Sequence, residues 1–223
     1  SIAALKNNKR NIINIFCTQL VFDKHIKEKV KFTGSIKIVK NNDLNTLLED
    51  KISHQGIIVE TKTLNYPKLD DVIDSSNIMI ALDQVTDPQN VGAIIRTFSF
   101  FGGENLLITK DHSSEINGSL AKSASGALES VNIIKVTNLS MTLKKIRKKG
   151  FTIIGLDENS DVMLHNTNDY SNEKKVLVMG SEGKGLRRLT KENCDFLVSI
   201  ANNNDSDFNT LNVSVSSALA LYE

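Results

Sequence analysis

Residues 176–186, VLVMGSEGKGL, decide how the rest of the chain is read. Val176, Leu177, Val178 and Met179 form an apolar run that suits a short buried strand, and Gly180, Gly183 and Gly185 then break it into a turn. Glycines spaced this closely leave backbone N–H and C=O groups without side-chain cover, so an adenine edge, a ribose or a carboxylate can approach the main chain directly. Glu182 is the one acidic residue in the loop. Taken alone, the string reads first as an ordinary tight turn with a solvated Glu–Lys pair. It is not a phosphate-binding P-loop: Gly180 and Gly183 enclose two residues where that loop needs four, and Gly185 follows Lys184 where Ser or Thr is required.

Working outward, the segment before this loop alternates strand and helix patterns. Strands are expected at 78–82, 105–109, 131–136 and 151–156, with helices at 88–101, 119–127 and 139–149 between them. After the loop come a strand at 196–200 and a helix at 211–222. Such alternation predicts an α/β fold with a mostly parallel sheet covered by helices on both faces. Ligands of such sheets collect at the carboxyl ends of the strands, which singles out three loops: 83–92, 180–185 and 201–212. Residues 1–62 read as a small separate α/β domain, with strands at 11–18, 35–39 and 56–59 and helices near 22–31 and 44–50. Between them, the apolar pattern lapses into TKTLNYPKLDDVIDSSN, so residues 63–77 are read as a linker and 78–223 as the second domain.

The 223 residues carry 27 Lys and Arg against 26 Asp and Glu. The balance is uneven along the chain. The first forty residues hold Lys6, Lys9, Arg10, Lys24, Lys27, Lys29, Lys31, Lys37 and Lys40 against Asp23 and Glu28. That excess suits contact with a polyanion such as RNA, and equally suits a solvated lysine-rich face. Cys17 and Cys194 are far apart and neither belongs to a C-x-x-C, so neither a disulfide framework nor a zinc ribbon is indicated, and a reducing cytoplasm fits. His25, His54, His112 and His165 lack metal-ligand spacing. No apolar run approaches the ~18 residues that cross a bilayer. No signal-peptide pattern opens the sequence, which begins without Met.

Residues 82–103, LDQVTDPQNVGAIIRTFSFFGG, bring the polar groups. Asp87 before Pro88 is a helix N-cap ahead of an N1 proline. Asn90 and Arg96 are six residues apart, about 120° off a common helix face, so they need not point the same way. With this segment the chain resembles the SpoU branch of the SPOUT RNA methyltransferases, the TrmH-like ribose 2′-O-methyltransferases, in particular the RlmB-type members that modify 23S ribosomal RNA. Three motifs match in order: D-P-x-N-x-G-x-I-x-R-T with F-G at 87–102, V-M-G-S-E-G-x-G at 178–185, and L-N-V-S-V at 211–215. SASGALESV at 123–131 matches too, and residues 1–62 resemble the family's ribosomal-protein-like RNA-recognition domain.

The resemblance implies a SPOUT fold whose carboxyl-terminal chain forms a trefoil knot, a rare exception to the rule against threading. It implies S-adenosylmethionine as cofactor, in a pocket formed by Leu156, Gly180, Glu182, Gly183, Ile200, Leu211, Asn212 and Ser214. It implies a homodimer in which Arg96 of one chain faces the cofactor held by the other, with Asn90, Glu182, Asn212 and Ser214 orienting Arg96, ribose and cofactor. The implied reaction is methyl transfer to a ribose 2′-hydroxyl, of a guanosine in 23S rRNA. Two alternatives stay open: a transfer-RNA ribose methyltransferase of the same fold, and an RNA-binding or ribosome-assembly protein without catalysis. The sequence departs from the family's pattern at 201–210, where ANNNDSDFNT replaces a shorter loop with Pro-Met and Gly, and at Asn132, where proline is common.

Overall fold

The computed structural model describes residues 1–27, 34–48, 53–165, 174–202 and 211–223. Glu28, Lys29 and Lys31, the far ends of the two helices expected at 22–31 and 44–50, and the atypical stretch at 203–210 lie outside the described residues. The chain divides into two compact units, Ser1–Asn65 and Tyr66–Glu223.

In the first unit, β1 (Ile12–Cys17) is central, parallel to β2 (Ser35–Ile38) and antiparallel to β3 (Ile57–Thr61). Among the described residues three short α-helices accompany it: α1 (Ile2–Lys6), α2 (Gln19–Val21) and α3 (Asn41–Thr46). The lysine-rich helix expected near 22–31 begins earlier, as α2, and runs into a π-helical turn at Phe22–Ile26. Thr18 starts it, its side chain accepting from the Val21 N–H at 3.4 Å. Ile15, Cys17, Ile26 and Ile57 are the buried core, with Phe22 and Val59 packed on it.

Among the described residues the second unit holds six strands, all parallel: β4 (Ile78–Asp83), β5 (Asn105–Thr109), β6 (Asn132–Val136), β7 (Thr152–Leu156), β8 (Lys175–Gly180) and β9 (Phe196–Val198). Their order is β6-β5-β4-β8-β7-β9. Strands that are apolar on both faces need cover on both. Ile80, Leu82, Leu106 and Met179 face one core with Val91, Ile94, Ile95 and Phe98 of α5 (Pro88–Phe100), Leu120 of α6 (Gly118–Ser123) and Val213 and Ala220 of α9 (Val213–Tyr222). Met79, Ala81, Leu107 and Val178 face the other, with Leu69 of α4 (Leu69–Val72) and Leu139, Leu143 and Ile146 of α7 (Leu139–Arg147).

Much of α5 is as its sequence dictates. Asp87 accepts from the Gln89 N–H at 2.9 Å with Pro88 in the first turn, and Gly92 lets α6 come close, since a Cβ there would lie 2.6 Å from Leu120 O and Ser123 Cβ. The stretch 63–77 carries α4, whose Leu69, with the neighbouring Ile73, is buried in the second core. Asp70 pairs with Lys145, and Lys149 Nζ lies 3.0 Å from Asp74 Oδ1, so acids that read as linker hold α4 against α7. Asn132 joins a polar ladder: it donates to Asn105 Oδ1 (2.9 Å), Asn105 to Ser76 Oγ (2.9 Å), and Ser76 to Val72 O (2.7 Å). Asn132 thus ties β6, β5 and α4 together. Among the described residues no helix is long and apolar enough to cross a membrane.

Candidate active site

Because β4, β8, β7 and β9 are adjacent and parallel, their carboxyl ends form one edge, carrying Asp83, Gly180, Leu156 and, just past β9, Ile200. The chain builds outward from β4 through β5 and β6, then builds β7, β8 and β9 on β4's other side. This reversal of winding opens a crevice at the carboxyl edge.

The loop after β8 is folded back on itself. Ser181 N–H donates to Gly185 O (3.2 Å) and Gly185 N–H to Ser181 O (2.8 Å). The glycines have separate reasons. A Cβ on Gly180 would fall 2.2–2.5 Å from main-chain atoms of Gly185 and Leu186, so only glycine lets the loop return this closely. Gly183 and Gly185 have φ of +78° and +62°, with open space where a Cβ would be. Glu182, Gly183, Lys184 and Gly185 are all exposed, which leaves their main chain accessible to a ligand.

Three side chains far apart in sequence meet over this loop. Glu182 Oε1 accepts from Asn90 Nδ2 at 3.0 Å and from Asn212 Nδ2 at 2.8 Å, and Asn212 Nδ2 also reaches Asn90 Oδ1 at 2.9 Å. Asn212 is the N-cap of α9: its Oδ1 accepts from Ser214 N–H (2.9 Å) and Ser214 Oγ (2.5 Å). The capping bond fixes which end of the amide is oxygen, so the NH2 end necessarily faces Glu182 and Asn90. Asn90 is buried on α5. Both amide donors engage Oε1, and among the described residues Oε2 has no hydrogen-bond partner.

Arg96 is not brought into this cluster. It is exposed on α5 and lines an open cleft of about 420 Å³ with Thr97, Ser99, Phe100 and Ala127. Among the described residues its guanidinium makes no hydrogen bond or ion pair. Leu156 and Ile200 are partly buried against the α5-side core, and Leu211 is about half exposed.

Sequence reasoning missed Asp83. It is fully buried at the end of β4, where Arg187 holds both its oxygens: Arg187 N–H donates to Oδ2 (3.0 Å) and Nε to Oδ1 (2.6 Å). This clamp fixes the exit of the glycine loop just before α8 (Arg188–Lys191). The signal was an aspartate closing an otherwise apolar strand. Asp157, next to Leu156, is held at 2.5 Å by Lys191; burial works against its charge, but the Lys191 ammonium and Asn159 outweigh it and lower its carboxyl below the ordinary value. Both cysteines are free, and burial, then the Asp195 carboxylate, pushes the Cys194 thiol up to about 12.

Glycines that clear a path to the main chain, a carboxylate with an unengaged oxygen and apolar Leu156, Ile200 and Leu211 make a donor set that fits an amino-acid-bearing adenosyl group. A parallel sheet with such a loop and cluster on its carboxyl edge defines an α/β enzyme domain that binds a small polar ligand there. Residues 77–222 match the SpoU rRNA Methylase family, and residues 2–67 match the RNA 2′-O ribose methyltransferase substrate binding family. The chain is similar to the 23S rRNA (guanosine-2′-O-)-methyltransferase RlmB of Ralstonia nicotianae, 35% identical over 99% of this chain and 90% of that protein. It is likewise similar to RlmB of Shewanella oneidensis, 33% identical over 99% and 92%. Among solved structures, the AdoMet-bound rRNA methyltransferase from Sinorhizobium meliloti shares the fold with TM-score 0.81 at 22% identity, over 99% of this chain and 82% of that one. The SpoU methyltransferase AviRb from Streptomyces viridochromogenes, in complex with AdoMet, does so at 0.80 and 20%, over 99% and 84%. This chain belongs to the SpoU rRNA methylase family: it is an S-adenosylmethionine-dependent RNA 2′-O-ribose methyltransferase.

Proposed function

We propose that this protein methylates the 2′-hydroxyl of a guanosine in 23S ribosomal RNA, as a homodimer, in the cytoplasm where ribosomes are built. The observation that carries the reading is the Asn90–Glu182–Asn212 cluster on the glycine loop. Similarity to the RlmB proteins along nearly the whole chain supports the ribosomal substrate. Gly180, Glu182, Gly183, Ile200, Leu211, Asn212, Ser214 and Leu156 are the residues that would hold S-adenosylmethionine. When bound, this cofactor supplies a methyl group already activated on a sulfonium.

The protein's part is then to position the ribose hydroxyl and manage its proton. A guanidinium does not surrender its proton, so Arg96 serves by stabilising the developing alkoxide or by holding the neighbouring phosphate. Glu182 Oε2 is the proton acceptor that this cluster offers, and Asn90 and Asn212 keep the carboxylate in place through Oε1. Arg96 of one chain would act at the pocket of the other. The separation of Arg96 from Glu182 within one chain supports that reading, as does an exposed apolar row on α9: Val215, Leu219 and Tyr222 are 47%, 40% and 76% exposed at helical spacing. Residues 1–62 would recognise RNA, the resemblance carries the trefoil crossing with it, and the lysines of the first forty residues would contact phosphates.

The test is transfer of labelled methyl from S-adenosylmethionine to deproteinised 23S rRNA and to transfer RNA, with the product nucleotide mapped. Label in 23S rRNA that Glu182→Ala abolishes is the expected result. Label in transfer RNA alone would move the substrate class. Label in neither RNA would leave the non-catalytic reading.

A further inference from the structure

The first unit carries an open cavity of about 450 Å³ of its own, at the junction of β1 with α2, the start of α3 and the turn before β3. Among the described residues none of its lining side chains is an acid, a lysine or an arginine. It is rich in amides instead: Asn41 and Asn45 from α3, and Gln55. An amide presents a donor and an acceptor in one plane, the chemistry that pairs with the edge of a nucleobase.

One wall is preset. Gly56 N–H donates to His54 Nδ1 at 3.0 Å, so Nδ1 is the unprotonated nitrogen, and Nε2 carries the hydrogen it gives to Asn45 Oδ1 at 3.0 Å. This commits the oxygen of Asn45 to His54. Its NH2 has no partner among the described residues and is the group left for a ligand. The turn that sets His54 is tight: Gln55 and Gly56 have φ of +51° and +81°, and a Cβ on Gly56 would lie 3.0 Å from Val21 Cγ2. Leu20, also lining the cavity, is 76% exposed, an apolar side chain beside amides that no described residue covers.

We propose that this cavity takes one unstacked nucleobase of the RNA substrate, its edge read by Asn45, Asn41 and Gln55 and its face set against Leu20. Sequence-specific proteins take hold of RNA in this way, through splayed-out bases in single-stranded loops. The proposal rests on the reading of RNA as substrate. It assigns selectivity to the cavity and leaves general affinity to the lysines outside it, of which the exposed Lys40 adjoins Asn41.

The test uses the full chain and two RNAs: 23S rRNA as the substrate strand and polyuridylate as a featureless one. Asn45→Ala should weaken 23S rRNA binding by roughly 2- to 10-fold, the loss of one amide hydrogen bond, with polyuridylate affinity and the salt slope unchanged. Lys40→Ala should lower affinity for both RNAs and reduce the log–log salt slope by about one. If Asn45→Ala does not fold, Asn41→Ala is judged by the same criteria. Unchanged affinity for 23S rRNA, or equal loss for both RNAs, overturns the proposal. Calorimetric S-adenosylmethionine binding and methyl transfer keep the two readings apart. Intact methylation with a silent Asn45→Ala removes the base pocket alone. Selective, Asn45-dependent binding by a protein that methylates no RNA removes the enzymatic reading alone.

Discussion

Removing the Asp83 carboxylate should destabilise the second unit by about 2–3 kcal/mol. Asp83 is fully buried and Arg187 is 45% exposed, so the two ends of the pair differ in what water can rescue. Breaking a fully buried ion pair costs about 3–5 kcal/mol, because an uncompensated charge stays behind. In Asp83→Ala the charge left is Arg187, which can turn toward solvent, and this brings the cost below that range. The Arg187 backbone N–H loses its acceptor as well, at about 1–3 kcal/mol if it stays dry. Arg187→Ala strands the buried carboxylate instead, with one backbone N–H for a partner, and should cost at least as much. Asp83→Asn, which keeps one acceptor, should fall between Asp83→Ala and wild type. For a chain of this size 2–3 kcal/mol lowers the melting temperature by about 4–12 °C. Differential scanning calorimetry reads it, with the transition of the second unit identified by deleting residues 1–62. Because the pair fixes the glycine loop's exit, S-adenosylmethionine affinity should follow the same order. A shift under 1 °C for both Asp83→Ala and Arg187→Ala would show that the pair holds nothing in place.

Three further outcomes are expected. Gly180→Ala should abolish S-adenosylmethionine binding by calorimetry, since its Cβ would occupy the path of Gly185 and Leu186, whereas Gly183→Ala, with open space around it, should cost only the ~1–2 kcal/mol of a left-handed backbone; equal effects would refute the distinction. Mixing Arg96→Ala chains with Glu182→Ala chains should restore part of the activity that each parent lacks, and a mixture as inactive as its parents would exclude a site shared between protomers. Asp157→Asn should lower stability by about 1 kcal/mol at pH 7. Its folded carboxyl titrates below the ordinary value, so the wild-type advantage is complete above that value, near 3.9, and fades as pH falls through the lowered one. Urea unfolding at pH 7, 4 and 2.5 checks this, and a gap that widens on acidification would contradict the assigned shift.

What could be read from the sequence was local. The apolar runs at 78–82, 105–109 and 176–179 and the turn residues after them mark strands buried on both faces, and Asp87–Pro88 marks the start of α5 to the residue. α4 was hidden because Leu69, Val72 and Ile73 are a single turn's worth of apolar pattern among Pro67, Asp70, Asp71 and Asp74. Asp70 and Asp74 find their ion-pair partners only in Lys145 of α7 and Lys149 just past it, distant in sequence. The meeting of Asn90, Glu182 and Asn212 depends on strand order, which spacing does not encode; motif resemblance brought the three together, not periodicity. Asp83 was visible only as an acid closing an apolar strand, and what it holds was not, because its partner Arg187 lies 104 residues away.

The place of β8 in the sheet also has a history during synthesis. β8 sits between β4 and β7, yet it is made long after β4, so the β4-β5-β6 half can assemble while one long side of β4 still lacks its neighbour. About 100 residues separate the end of β4 from the end of β8, and at 5–20 residues per second a ribosome needs roughly 5–20 s to deliver them. Through that interval Met79, Ala81 and the main chain of β4 form an open, apolar edge of the kind that pairs with other nascent chains. The strand that carries the glycine loop is therefore also the one that closes the sheet. A chain stopped before residue 175 lacks more than activity; it is left as an adhesive half-sheet, and a cell would meet it as a substrate for chaperones and proteases.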